Sequence, residues 1–123
     1  MTALTDLRAK VAEGGNYAPI GMDQLAATAF PPENAYGKCT FHHVSRAFHG
    51  SLDAAKALHE AVLPDKGWHV EWVAKYPALA FKPAAWCASV GWGSRHAAYS
   101  TDPARAWLLA ILDALIAKEA SDG

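Results

Sequence analysis

The sequence predicts an α+β fold: a small antiparallel sheet of about three or four strands packed with helices. Three observations carry this. Ala104, Trp107, Leu108, Ile111, Leu112, Leu115 and Ile116 recur at helical spacing near the C-terminus, residues 68–76 alternate with period two, and the strand-like segments are joined by connections too short for parallel crossovers. Residues 51–117 therefore spell helix, strand, strand, strand, helix, preceded by an N-terminal helix and an irregular segment. A chain of 123 residues with 52% apolar content builds one core without disulfides or metal. One domain is expected over 1–123, with 51–118 as the αβββα core and 1–50 as a variable addition.

Leu4, Leu7 and Val11 are spaced for a helix over 3–13, which Gly14 and Gly15 end. In the next segment "MDQLAATAF" predicts two helical turns stopped by Pro31 and Pro32, and "KCTFHHV" predicts a strand. Ser51 is the expected N-cap of an amphipathic helix in which Leu52, Ala55, Leu58, His59, Val62 and Leu63 share one side. Pro64 ends it and "DKG" supplies the turn.

In "WHVEWVAKY" the residues Trp68, Val70, Trp72, Ala74 and Tyr76 face one way, and His69, Glu71, Val73 and Lys75 the other. The tryptophan side offers an apolar face for the helices. The other side is the wetter one, with residues 1–50 as its candidate cover. "ALAFKP" and "AWCASVGW" form an interrupted second strand region, Pro83 marking a turn, bulge or edge. "SRHAAYS" is the third strand, introduced by Gly91 and Gly93. The last helix carries the widest apolar stripe, and each large side chain it buries contributes roughly 1.5–3 kcal/mol of gross stabilisation.

Composition excludes several functions. The 11 Lys and Arg nearly balance the 12 Asp and Glu, leaving a formal net charge of −1, which disfavours nucleic acid as a partner. No apolar run is long enough for a membrane span, and the N-terminal segment is too charged for a signal peptide. Cys39 and Cys87 form no CxxC pair, so a soluble protein of a reducing compartment is expected.

"GSLDAAKALHEAVLPDKGWHVEW" followed by "YSTDPARAWLLAILDALIA" resembles the phage ABA sandwich domain family of small phage and prophage proteins. The likeness rests on "SLDAA", the "LP" at 63 and 64, Trp68 and the block from 100 to 115, and covers rather more than half the chain. It implies a compact αβ sandwich encoded by a tailed phage and located in the cytoplasm of its bacterial host. No catalytic residue is carried over from that family.

The helix, three-strand, helix order is also that of the double-stranded RNA-binding domain, which grips phosphates with lysines at the start of its last helix. Here Ser100, Thr101, Asp102 and Pro103 stand there. Asp102 as N-cap and Pro103 as first helical residue close the helix start internally and repel a phosphate, leaving Arg95 and Arg105 as two donors for a small anion.

Cys39, His42 and His43 have the look of a partial metal site, with Cys87, His96 or His49 to complete it. Structural zinc usually shows two clear ligand pairs, and neighbouring histidines on a strand point apart. Structural histidines and no cofactor are therefore expected. Cys87 sits among small and apolar residues, which suits an inert core thiol. Asp53, Glu60, Glu71, Asp102 and Asp113 each have a solvent or capping role, so no enzyme is expected.

Five tryptophans exceed what a core of this length buries with every indole N–H satisfied. Periodicity assigns Trp72 and Trp107 to the core; Trp86 and Trp92 flank a glycine turn, which brings one or both to the surface. Trp86, Trp92, Arg95, His96 and Arg105 are thus the candidate binding residues. The leading expectation is a non-catalytic phage accessory protein, self-associating as a dimer, that antagonises a host defence, anti-CRISPR-like or otherwise, by binding a host protein. The alternatives are a sponge for a nucleotide-like immune signal, using Trp92, Arg95, His96 and Arg105, and a self-associating structural protein without a ligand.

Overall fold

The computed structural model describes residues 3–13, 19–31, 40–73, 85–91 and 96–122. Among these residues five helices accompany a three-stranded antiparallel sheet: α1 (Ala3–Glu13), α2 (Pro19–Ala29), α3 (Thr40–Phe48), α4 (Leu52–Val62), β1 (Trp68–Val73), β2 (Ala85–Val90), β3 (His96–Ser100) and α5 (Pro103–Asp122). The α+β fold expected from the sequence is the one observed. Strand order is β1-β2-β3, so both β2 connections join antiparallel neighbours. Ala74, Lys75, Tyr76 and the "ALAFKP" segment lie outside the described residues.

α5 is the centre of the molecule. Every residue from 106 to 112 is buried, including Ala106, Leu109 and Ala110, which lie off the predicted stripe. A helix covered all round needs neighbours on all sides. α5 has the sheet, mainly β2 and β3, on one side, and α1, α3 and α4 on others. Small residues at the sheet, Ala88 and Ala98 beside Val90, allow a close approach to α5. Leu7 and Val11 of α1, Met22 and Ala26 of α2, Val44, Ala47 and Phe48 of α3, and Leu58 and Val62 of α4 complete the core.

Several expectations are corrected. The strand predicted for "KCTFHHV" is helix α3 from Thr40 onward. The buried positions Thr40, Val44, Ala47 and Phe48 fall at i, i+4, i+7 and i+8, a pattern that emerges only when the window extends past residue 44. The described helices of residues 1–50 also do not cover the polar face of the sheet: they pack on one another, on α4 and on α5. α4, too, packs on α3 and α5. Leu52, expected on its buried side, is exposed.

One cluster of caps ties three helices together. α3 ends in a Schellman arrangement, in which Ser51 N donates to Arg46 O at 2.9 Å and Gly50 N to Ala47 O at 3.0 Å. Gly50 takes φ +104°, the left-handed region where a side chain is strained, and a Cβ there would stand 3.2 Å from Asp102 Oδ2. Ser51 then caps α4, its Oγ accepting from Ala54 N at 3.1 Å. At the start of α5, Asp102 Oδ1 accepts from Arg105 N at 3.0 Å. The helix start is closed by its own side chain, as its sequence predicts.

Asp102→Ala should therefore cost about 0.5–2 kcal/mol, typically near 1, with Asp102→Asn retaining most of the stability. Urea titration of both variants reads this directly. Equal losses would show that charge, rather than capping geometry, is what Asp102 contributes.

Candidate functional site

Of the five candidate binding residues, Trp92 and Arg95 lie outside the described residues. The other three do not converge. In the β2–β3 register Trp86 stands opposite Ser100 and His96 opposite Val90, at the two ends of the pairing. Four residues of strand, about 13 Å, separate them. Arg105 is engaged within the fold: its Nε and Nη2 donate to Phe48 O at 3.3 and 3.0 Å, and its guanidinium lies 4.2 Å from the centroid of the Phe48 ring. It satisfies a carbonyl that the end of α3 leaves without a helical partner.

The tryptophans are distributed differently from expectation. Register puts Trp68, Val70 and Trp72 on the sheet face shared with Trp86, Ala88 and Val90, the face that α5 covers. α5 lies chiefly over β2 and β3, so β1 extends beyond it. Trp72, assigned to the core by periodicity, is 51% exposed, and Trp68 is 48% exposed. Trp86 is half-buried and meets Trp72 edge-on, with centroids 5.3 Å apart and planes at 63°. Trp72 and Trp86 form an aromatic pair at one end of β1.

Trp68, at the other end, has a structural role as well. Its ring lies 4.3 Å from that of Trp107, which is buried as expected. The Trp107 indole Nε1–H donates to His59 Nδ1 at 3.4 Å. His59, only 2% exposed, uses Nε2 to donate to the Lys66 carbonyl at 2.8 Å. These two bonds assign the Nε2–H tautomer and fasten the turn after α4 to the core.

That turn forms one wall of a groove of about 690 Å³. Val62, Leu63, Pro64, Asp65 and Lys66 line it on one side, Val90, Gly91 and His96 at the end of the sheet, and Ala114, Ala117 and Lys118 on α5. His96 is thus the candidate residue that borders a cavity. Its neighbours there were not singled out by sequence, because Lys66 and Lys118 read as solvated charges on a turn and a helix.

The described metal and thiol candidates are not grouped. Cys39 lies outside the described residues, His42 is exposed and His43 is half-buried on α3. Among the described residues no three His, Cys, Asp or Glu side chains are grouped to hold a metal. His43 Nδ1 is buried without a hydrogen-bond partner, and the His43 pKa is lowered, first by burial and then by the neighbouring charges of Arg46 and His42. Cys87 stands opposite Glu71 and Tyr99 on the sheet face away from α5, half-buried rather than in the core. Asp113 pairs with Arg8 of α1 through Nε–Oδ1 at 2.8 Å and Nη2–Oδ2 at 3.3 Å. This bond raises the Arg8 pKa further, against the opposing effect of burial.

No helix among the described residues is long and apolar enough to cross a membrane. Compared with protein-family models, curated proteins and solved structures, the chain matches none of them.

Proposed function

We propose that this chain is a non-catalytic binding protein that engages a partner protein through the aromatic end of β1, and that it acts as a phage accessory factor against a host defence. The observation that carries the reading is the half-exposed Trp72, seated edge-on against Trp86. Tryptophans that are held in place and wet on one side lose little freedom on docking and bury a large area, which is why they dominate interface energetics. The phage assignment rests on the resemblance of residues 50–72 and 99–117 to the ABA sandwich family. The sponge reading is weaker, since Arg105, one of the two arginines it needs, is committed to Phe48.

Trp72 is the cleaner probe of this surface, because Trp68 is stacked on the buried Trp107. In bacteria carrying a defined defence system, the chain is expected to restore phage plating and to co-purify with one component of that system. Trp72→Ala should leave the melting temperature nearly unchanged and weaken binding to the purified component by about 2 kcal/mol or more, roughly 30-fold. Unchanged affinity on Trp72→Ala overturns the assigned surface. A concentration-dependent dimer abolished by the same substitution replaces the foreign partner with a second copy of the chain.

A further inference from the structure

We propose that the groove between the turn after α4, the β2–β3 end of the sheet and the last turns of α5 binds a small organic anion with an apolar body, of the kind in which a carboxylate terminates a hydrocarbon chain. The site is separate from the aromatic end of β1, because Trp72 pairs with Trp86 whereas the groove begins at Val90.

Its volume, about 690 Å³, lies within the usual range for small-molecule sites. The lining is mixed: Val62, Leu63 and Val90, each nearly fully buried, together with Ala114 and Ala117 supply its hydrocarbon part, and the two alanines keep the α5 side open. Its charged side chains are the two lysines, Lys66 and Lys118, and one carboxylate, Asp65; the His96 imidazole lines it as well. Neither lysine makes an ion pair among the described residues, so both ammonium groups are available to a ligand. The C-terminal end of α4 borders the groove and brings partial negative charge; with Asp65 it opposes an anion, and the two lysines oppose that effect.

The wall is held in place before any ligand arrives. His59 bonds the Lys66 carbonyl, Lys66 N donates to Leu63 O at 3.1 Å, and Gly91 N donates to Gly67 O at 2.9 Å, joining the turn to the end of β2. A preformed groove avoids the ordering cost that a flexible one would incur on binding. Lysines bordering it anchor one anionic end and leave the rest of the ligand to be selected by shape. Two lysines set against Asp65 and the C-terminal end of α4 match one carboxylate rather than the several charges of a nucleotide, which favours a fatty carboxylate.

Decanoate titrated into the ¹⁵N-labelled full chain tests this, with decanol and decyltrimethylammonium as uncharged and cationic controls. Saturable amide shifts are expected at residues 62, 63, 65, 66, 90, 91, 96 and 114–118. The controls should bind about tenfold more weakly or worse, as should the Lys66→Glu/Lys118→Glu variant. Both substitutions are at exposed positions, so folding is preserved and is verified by an unchanged amide spectrum elsewhere. The absence of shifts at millimolar decanoate, equal binding of decanol, or equal affinity in the charge-reversed variant each overturns the proposal. Shifts centred on Trp72 would likewise overturn it, by assigning the ligand to the aromatic surface. Trp72→Ala should leave decanoate binding intact, so the two readings fail independently.

Discussion

Truncating Ile111 to alanine is expected to destabilise the protein by about 2–5 kcal/mol, and Leu112→Ala by a similar amount. Both side chains are fully buried, at 0% exposure. Successive helix residues project about 100° apart, within the width of one apolar stripe, and around α5 the burial extends past that stripe to Ala106, Leu109 and Ala110. They are buried together because α5 has the sheet on one side and other helices around it. The cost has two parts: the lost transfer of the removed carbons from water, and a cavity that the surrounding elements close only in part. α5 touches most of the molecule, so closing the cavity would require several elements to shift at once. Total stability for a domain is only about 5–15 kcal/mol, and either substitution therefore removes a large share. Guanidinium titration should show a lower midpoint with an unchanged slope. Ile116→Ala, at a half-buried position, serves as the internal comparison and should cost clearly less. Equal losses at 111 and 116 would show that α5 is not packed on all sides.

Trp107→Ala should be about as severe, near 3–5 kcal/mol. The ring is 3% exposed, lies against Trp68 and sends its indole N–H to His59. Trp107→Phe separates the contributions, since it keeps an aromatic surface for Trp68 and removes the N–H. The bond to His59 Nδ1 is long at 3.4 Å, so ring packing should carry most of the effect. Phenylalanine is therefore expected to retain more than half of the stability that alanine loses. Near-parity of the two variants would transfer the main role to the hydrogen bond and to the buried imidazole that it satisfies. Amide exchange at residues 63 and 65–67 provides a second reading. If the His59 link to Lys66 depends on Trp107, exchange there should quicken in both variants.

The elements were largely legible from sequence where the signal is local and long. α1, α4, the three strands and α5 follow from apolar spacing, and Ser51 and Asp102 announced their helices as caps. α3 was not legible in a window ending at residue 44, since seven residues cannot separate period two from period 3.6 when His42 and His43 count as neither apolar nor charged. The candidate site was legible only in fragments. Arg105 looked like a donor for a ligand, yet its guanidinium is spent on Phe48, 57 residues away in the chain. Trp72 looked like core because alternation states which side of a strand a residue occupies and is silent on whether anything covers that side.

The α+β class, the antiparallel order, the closed start of the last helix and the near-neutral charge are legible in the residues alone, because each depends on neighbours within a few positions or on a sum over the whole chain. That α5 is surrounded, that Trp72 lies open beyond its edge, and that Lys66, His96 and Lys118 border one groove follows from the packing of distant segments. Those outcomes depend on where separate elements come to rest. Covering a face requires a partner from elsewhere in the chain, and no local periodicity records which partner arrives.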